Sequence, residues 1–187
     1  MRITVYNKKG GVGKTAISLN IARDLDYYLI SNDDSTIESI YDKAKILDEL
    51  QLLDDKHNVV YDLGGFIDKK ALKIIKNSDL IIIPTTLDAN SIKRAVNTIM
   101  EINSSSKNII IVINRVKETT LKKYQQSIEI LKGLGKEIFY LRESEAIPNS
   151  IHTVSINQLF ELNNLNKKNY KKIHTEYNLI LNKIKDQ

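Results

Sequence analysis

The sequence contains no cysteine. Disulfides are therefore excluded, as are metal sites built on thiolates and iron–sulfur clusters held by cysteine. No apolar run approaches the roughly 20 residues that a membrane-spanning helix needs. Met1 leads within two residues into an apolar stretch, so no signal peptide is expected and the cytoplasm is the expected location. Internal repeats, low-complexity tracts and linkers are also lacking. The 187 residues are expected to form one domain, 1–187, large enough to bury a central sheet with helices on both faces.

What the chain does have is a glycine- and lysine-rich stretch, Asn7-Lys8-Lys9-Gly10-Gly11-Val12-Gly13-Lys14-Thr15. It follows the apolar run Ile3 to Tyr6 and precedes an apolar-periodic segment with Ile17, Ile21 and Leu25. A strand, a phosphate loop and a helix are the expected result. Glycines 10, 11 and 13 let the backbone turn tightly and aim N–H groups inward, and the N-terminus of the next helix adds its unpaired donors. Lys14 would reach the outer phosphates, and the Thr15 hydroxyl would ligate Mg²⁺. The usual pattern G-x-x-x-x-G-K-[ST] would place a glycine at position 8, where Lys8 stands, and a second lysine, Lys9, lies inside the loop.

Further on, strand and helix patterns alternate. Strands are expected at Tyr27 to Ser31, Val59 to Tyr61, Leu80 to Ile83 with Pro84 as its stop, Ile109 to Ile113 and Ile138 to Leu141. Between them, residues 36–53 read as a helix with Ile37, Ile40, Ala44 and Leu47 on one face. Asp68 reads as the N-cap of a helix carrying Ala71, Leu72 and Ile75. Ile92, Val96 and Ile99 mark the next helix, and Leu121, Tyr124, Ile128 and Leu131 another, which Gly133 or Gly135 ends. The fold class implied is α/β, a P-loop NTPase with a mostly parallel central sheet and helices on both faces. Ligands of such sheets bind at the carboxyl ends of the strands. Asp62 ends an apolar strand there, as the Mg²⁺-holding aspartate of a P-loop NTPase does. His57, His152 and His174 show no partner pattern and read as structural or surface residues.

The spelling Lys-Gly-Gly-x-Gly-Lys-Thr resembles the deviant Walker A motif of the ParA/MinD-type (SIMIBI-class) ATPases. The resemblance implies ATP and Mg²⁺ as cofactors, with Lys9 crossing a homodimer interface to the partner's nucleotide. It implies that Gly10, Gly11, Val12, Gly13, Lys14, Thr15 and Ala16 surround the phosphates, and that Thr15 and Asp62 serve the metal. The family's aspartate that positions the attacking water falls on Asp33, or on Asp34 if the register shifts by one. Asn114 and Arg115 resemble the Asn-Arg pair that holds adenine, and Ile147-Pro148-Asn149 resembles the loop bordering the base. Departures from the pattern are Ser31 and Ser35 beside Asp33, Ala16 in place of threonine, and Gly64-Gly65 where proline is common. Asp-x-Gly-Gly is similar to plasmid StbB/TraL-type relatives.

The net charge is +5, and residues 167–187 carry six lysines against Glu176 and Asp186, a net +4. Such a cluster suits a polyanion-binding face or a plain solvated helix. The expected function is thus an ATPase forming an ATP-dependent sandwich dimer for plasmid or chromosome partition. Its partners would be non-specific DNA and a ParB-like stimulating protein, which would make it nucleoid-associated. The alternatives are a MinD-like membrane-positioning ATPase, with Ile173, Tyr177, Ile180, Leu181 and Ile184 facing lipid, or a low-turnover nucleotide-binding scaffold of a conjugation system.

Overall fold

The computed structural model describes residues 1–33, 36–47, 57–65, 69–102 and 108–187. Among them, seven parallel strands form one sheet in the order β3-β2-β4-β1-β5-β6-β7. The strands are β1 (Arg2–Tyr6), β2 (Tyr28–Ser31), β3 (Ala44–Ile46), β4 (Val59–Leu63), β5 (Leu80–Thr85), β6 (Ile109–Val116) and β7 (Glu137–Arg142). The helices are α1 (Lys14–Leu25), α2 (Ile37–Ile40), α3 (Lys69–Lys76), α4 (Ala89–Ile102), α5 (Gln125–Lys132), α6 (Ala146–His152), α7 (Ile156–Glu161) and α8 (Asn164–Lys185), with a 3₁₀ segment Glu118–Tyr124 before α5.

Because successive side chains of a strand point to opposite faces, strands that are apolar throughout must be covered twice. The sheet accordingly separates two cores. Ile3, Val5, Val60, Ile82 and Val112 pack with α1, α2, α6, α7 and α8 on one side. Tyr61, Ile81, Ile83, Ile111 and Ile113 pack with α3, α4 and α5 on the other. Among the described residues no helix is long and apolar enough to cross a membrane.

Helix α1 must hand over to β2 within two residues. Asp26 takes a left-handed conformation (φ 58°), and its N–H and that of Tyr27 turn back to the carbonyls of Arg23 and Ala22. This closing motif satisfies helix-end carbonyls while reversing the chain, so the link can be short.

Four expectations about elements need correction. The helix expected over residues 36–53 is a single turn, α2, followed by the edge strand β3 paired with β2 (Leu29↔Ala44, Ser31↔Ile46); residues 48–53 lie outside the described residues. Pro84 does not stop its strand, because β5 runs on to Thr85 and pairs Pro84 with Val112 of β6. Pairing with β1 has already ended at Ile82, so on that side a proline removes no ladder bond. The helix expected from Leu121 starts as 3₁₀ and becomes α-helical only at Gln125. Ile147-Pro148-Asn149 is part of α6 rather than a loop; Pro148 sits in the first turn, where its missing N–H is not needed. Asp68 and Asp34 lie outside the described residues.

Candidate nucleotide site

The carboxyl ends of β1, β2, β4, β5 and β6 meet at one edge of the sheet, and the loop 7–13 leaves β1 at its centre. Asn7, wholly buried, pins the loop's start: its Nδ2 donates to the Pro84 carbonyl (2.7 Å), and its Oδ1 accepts from the Lys9 N–H (2.9 Å). Lys14 is only 7 % exposed, with its Nζ 3.4 Å from the Lys9 carbonyl, so the ammonium lies over the loop it would serve. The Lys9 Nζ donates to the Gly10 carbonyl at the surface (3.1 Å). Lys9 also influences Asp88, whose side chain caps α4 through the Ser91 N–H (3.0 Å). Burial pushes the Asp88 carboxyl up, but hydrogen bonds from Ser91 and Thr86 and the Lys9 charge outweigh this and hold it at about 2.

Gly13 ends the loop with φ 96°, a conformation that side chains resist. A Cβ there would stand 2.2 Å from Nδ2 of Asn114. The two residues are therefore coupled, because Asn114 reaches from β6 to donate to the Val12 carbonyl (3.0 Å). Helix α1 begins with no side chain capping it, which leaves its first N–H groups facing the loop. Backbone donors, a helix N-terminus and a buried lysine together make a cradle suited to phosphate.

Thr15 and Asp62 meet, as the sequence predicts. Thr15 Oγ1 donates to Asp62 Oδ2 (2.7 Å), and Ser18 Oγ lies 3.3 Å from Oδ1. Asp62 is 1 % exposed. Burial pushes its carboxyl up to about 6, against the hydrogen bonds of Thr15 and Ser18 and the charge of Lys14; nearby Asp33 adds to the rise. A buried carboxylate beside a hydroxyl, short of positive charge, is the oxygen donor set that Mg²⁺ accepts when phosphates and waters complete its octahedron. Among the described residues no cluster of three or more His, Cys, Asp or Glu could hold a metal by itself.

Register places Ser31 of β2 opposite Asp62 of β4, so Asp33 emerges beside the Asp62 carboxylate. It is exposed, and its Cγ would lie 3.8 Å from a Cβ on Gly64. The Gly64 N–H, a candidate phosphate sensor, is engaged by Asn32 Oδ1 (2.7 Å), and a Cβ on Gly65 would press on the Lys8 carbonyl at 3.3 Å.

A cavity of about 270 Å³ adjoins Gly13 and Ala16 and is walled by Asn114, Arg115, Glu143, Ile147, Pro148 and Ile151. Its place beside the phosphate cradle suits a base. Asn114 does not offer its whole amide to that space: Nδ2 donates to Val12 and Oδ1 accepts from the Arg115 N–H (2.9 Å). One N–H and one lone pair remain for a ligand. Arg115 is held at φ 56°, at an irregularity between β6 and β7, and is exposed at the rim. The opposite wall, α6, is tied to α1 by Asn20, whose Nδ2 donates to Ser150 Oγ (2.9 Å), and by Arg23, which donates to the Ser150 carbonyl (2.6 Å).

Asn7, Ser18, Asn20 and Asn32 escaped the sequence reading. Only Asn7 carried a local signal, its place at the mouth of the glycine loop; the partners of the others are distant in sequence. The basic tail is partly ion-paired. Lys167 pairs with Glu161 (2.5 Å), Lys172 with Glu118 (3.6 Å) and Lys183 with Glu137 (2.8 Å). The five α8 residues expected to face lipid, Ile173, Tyr177, Ile180, Leu181 and Ile184, are buried core, although Leu165 and Leu179 of the same helix are exposed.

Comparison with known proteins agrees with this geometry. The family described as the CobQ/CobB/MinD/ParA nucleotide binding domain matches residues 3–154. No curated protein matches the chain. Among solved structures, the MinD cell division protein of Aquifex aeolicus is similar over 89 % of this chain and 92 % of its own, with 20 % identity and a TM-score of 0.60. A point variant of McdA from Cyanothece, solved as its ATP complex, is similar over 95 % and 93 %, with 12 % identity and a TM-score of 0.65. A protein of Borrelia burgdorferi B31 assigned to plasmid partition and bound to AMPPNP is similar over 97 % and 98 %, with 18 % identity and a TM-score of 0.61.

Proposed function

Because the chain belongs to the CobQ/CobB/MinD/ParA nucleotide-binding family, we propose that it binds Mg·ATP on the loop 9–16, dimerises face to face over it, and hydrolyses it slowly to separate again. The observation that carries this reading is the joining of three parts: Lys14 folded over the loop, Thr15 bonded to a buried Asp62, and the cavity beside Gly13 and Asn114. Lys14 neutralises the outer phosphates, which attract it as a charge-assisted partner. Thr15 and Asp62 hold the metal, which when bound supplies charge stabilisation to the transferring phosphoryl group. Asp33, at the solvent edge of the same carboxylate, orients the attacking water. Asn114, Arg115 and Pro148 border the base.

Lys9 acts across the interface. Its ammonium lies at the surface and, among the described residues, hydrogen-bonds to its neighbour's carbonyl alone, so it can leave at little cost. Two ATP molecules are then components of the interface, and loss of the terminal phosphate removes the charge that holds the halves together. The biological role favoured is plasmid or chromosome partition on non-specific DNA with a ParB-like stimulating partner, in keeping with the partition relative and with an α8 whose apolar face is spent on the core. Light scattering with a non-hydrolysable ATP analogue tests the central step. Wild type should dimerise and Lys9→Ala should remain monomeric while retaining monomer nucleotide affinity. A Lys9→Ala protein that dimerises like wild type overturns the trans role.

A further inference from the structure

The sequence sum places the basic excess in the C-terminal tail, but the structure distributes it differently. Helix α3 has the sequence KKALKIIK, four lysines in eight residues and no acid. Its inner face, Ala71, Ile74 and Ile75, is buried against the sheet. Lys69, Lys73 and Lys76 are exposed on the outside. At about 100° per residue they fall in one stripe roughly 60° wide, with ammonium-bearing positions about 6 and 4.5 Å apart along the axis. Among the described residues no carboxylate pairs with these three, nor with Lys168 and Lys171 of the tail, whereas the tail's Lys167, Lys172 and Lys183 are each paired.

We propose that this outer face of α3 binds the phosphate backbone of duplex DNA without reading its sequence. Three observations select that occupant. Lysines alone, with no arginine fork, amide or aromatic among them, act as point charges, which suits phosphate contact and not base recognition. Among the described residues, none of the large exposed apolar side chains lies on α3, so the helix itself offers none to a bilayer. Helix α3 carries no aromatic or arginine side chain of the kind that anchors a protein interface. The surface is joined to the nucleotide site by chain continuity, since α3 follows Asp62 and Gly64-Gly65 by a few residues. The proposal extends the DNA contact of the preceding reading to a second surface, and it stands without the tail.

The test is fluorescence anisotropy of the full chain on two unrelated duplexes over a salt series, with and without Mg·ATP. Variants are Lys69→Gln/Lys73→Gln/Lys76→Gln, the corresponding triple Lys→Arg protein, and the tail variant Lys168→Gln/Lys171→Gln. The glutamine triple should lose about tenfold or more in affinity for both duplexes alike, and the slope of log K against log salt should flatten by up to about 2.7, at roughly 0.9 per contact. The arginine triple, which keeps the charge, should bind like wild type and so excludes a folding defect. An unchanged affinity and slope in the glutamine triple overturns the proposal, as does loss on one duplex only or equal loss in the arginine triple. If the tail variant alone abolishes binding, the α3 assignment falls while the partition reading survives. Binding to anionic-lipid vesicles that depends on these lysines, with DNA affinity untouched, would likewise overturn it.

Discussion

Replacing Gly13 by alanine should cost stability through two separable effects. Alanine at φ 96° carries the left-handed penalty of about 1–2 kcal/mol. The new Cβ would also collide at 2.2 Å with Nδ2 of Asn114 and push that amide off the Val12 carbonyl. Asn114 is 2 % exposed, so its displaced N–H and the abandoned carbonyl have little access to water, and leaving them unpaired adds about 1–3 kcal/mol. The expected total is about 2–5 kcal/mol. A double-mutant cycle in urea separates the parts. Against an Asn114→Ala background, Gly13→Ala should cost only the backbone penalty, giving a coupling of about 1–3 kcal/mol between residues 101 positions apart. If the two losses simply add, the steric coupling between loop and β6 is not there and the reasoning fails. The same substitution should weaken nucleotide binding, since the loop N–H groups and the base wall would both shift.

Protonation of Asp62 gives a second expectation. Its carboxyl is raised to about 6 in the fold, against about 3.9 in an unfolded chain, so the group's contribution is greatest below the unfolded value and is lost as pH rises toward 6. Wild type should therefore lose on the order of 2–3 kcal/mol relative to Asp62→Asn between about pH 4 and 6, read as the difference of two urea midpoint curves; parallel curves would contradict it. Mg·nucleotide affinity should rise across the same interval with release of up to one proton, seen in calorimetry in buffers of different ionisation enthalpy. Arg142→Ala should destabilise by about 1 kcal/mol, because its Nη2 and Nε join β7 to Glu176 of α8 (2.6 and 3.0 Å) at a partly exposed site. Thermal denaturation indistinguishable from wild type would assign that bridge no net worth.

Legibility in the sequence followed the locality of the cause. The phosphate loop was readable because its glycines and Lys14 act within a few residues of one another. The sheet was readable where a strand is apolar on both faces, as in Ile81 to Ile83. Strand β3 was not, since Ile37, Ile40, Ala44 and Leu47 repeat at helical intervals while an edge strand needs only Ala44 to Ile46 and one neighbour, β2. Pro84 misled because a proline's effect depends on which neighbour its nitrogen faces, and that is a fact of register. The braces of the cavity beside Gly13 and Asn114 were hidden for a different reason. Asn20 accepts from the Ile156 N–H and donates to Ser150, and nothing near Asn20 announces partners at that distance. Asn114 lines the cavity beside the loop and also ties β6 to the loop, a contact its local sequence did not announce. Lysine counting located the tail but could not foresee which carboxylates would face it.

The claim on which the account rests is that residues 9–16 and Asp62 form a Mg·ATP site. Isothermal titration of Mg·ATP into wild type, Lys14→Ala and Thr15→Ala tests it most directly. Wild type should bind with one site per chain, and Lys14→Ala should show no measurable binding because it removes the ammonium that would face the outer phosphates. Thr15→Ala should bind ATP with a much reduced dependence on Mg²⁺. Equal Mg·ATP affinity in wild type and a folded Lys14→Ala protein would contradict the phosphate-loop assignment and everything built on it.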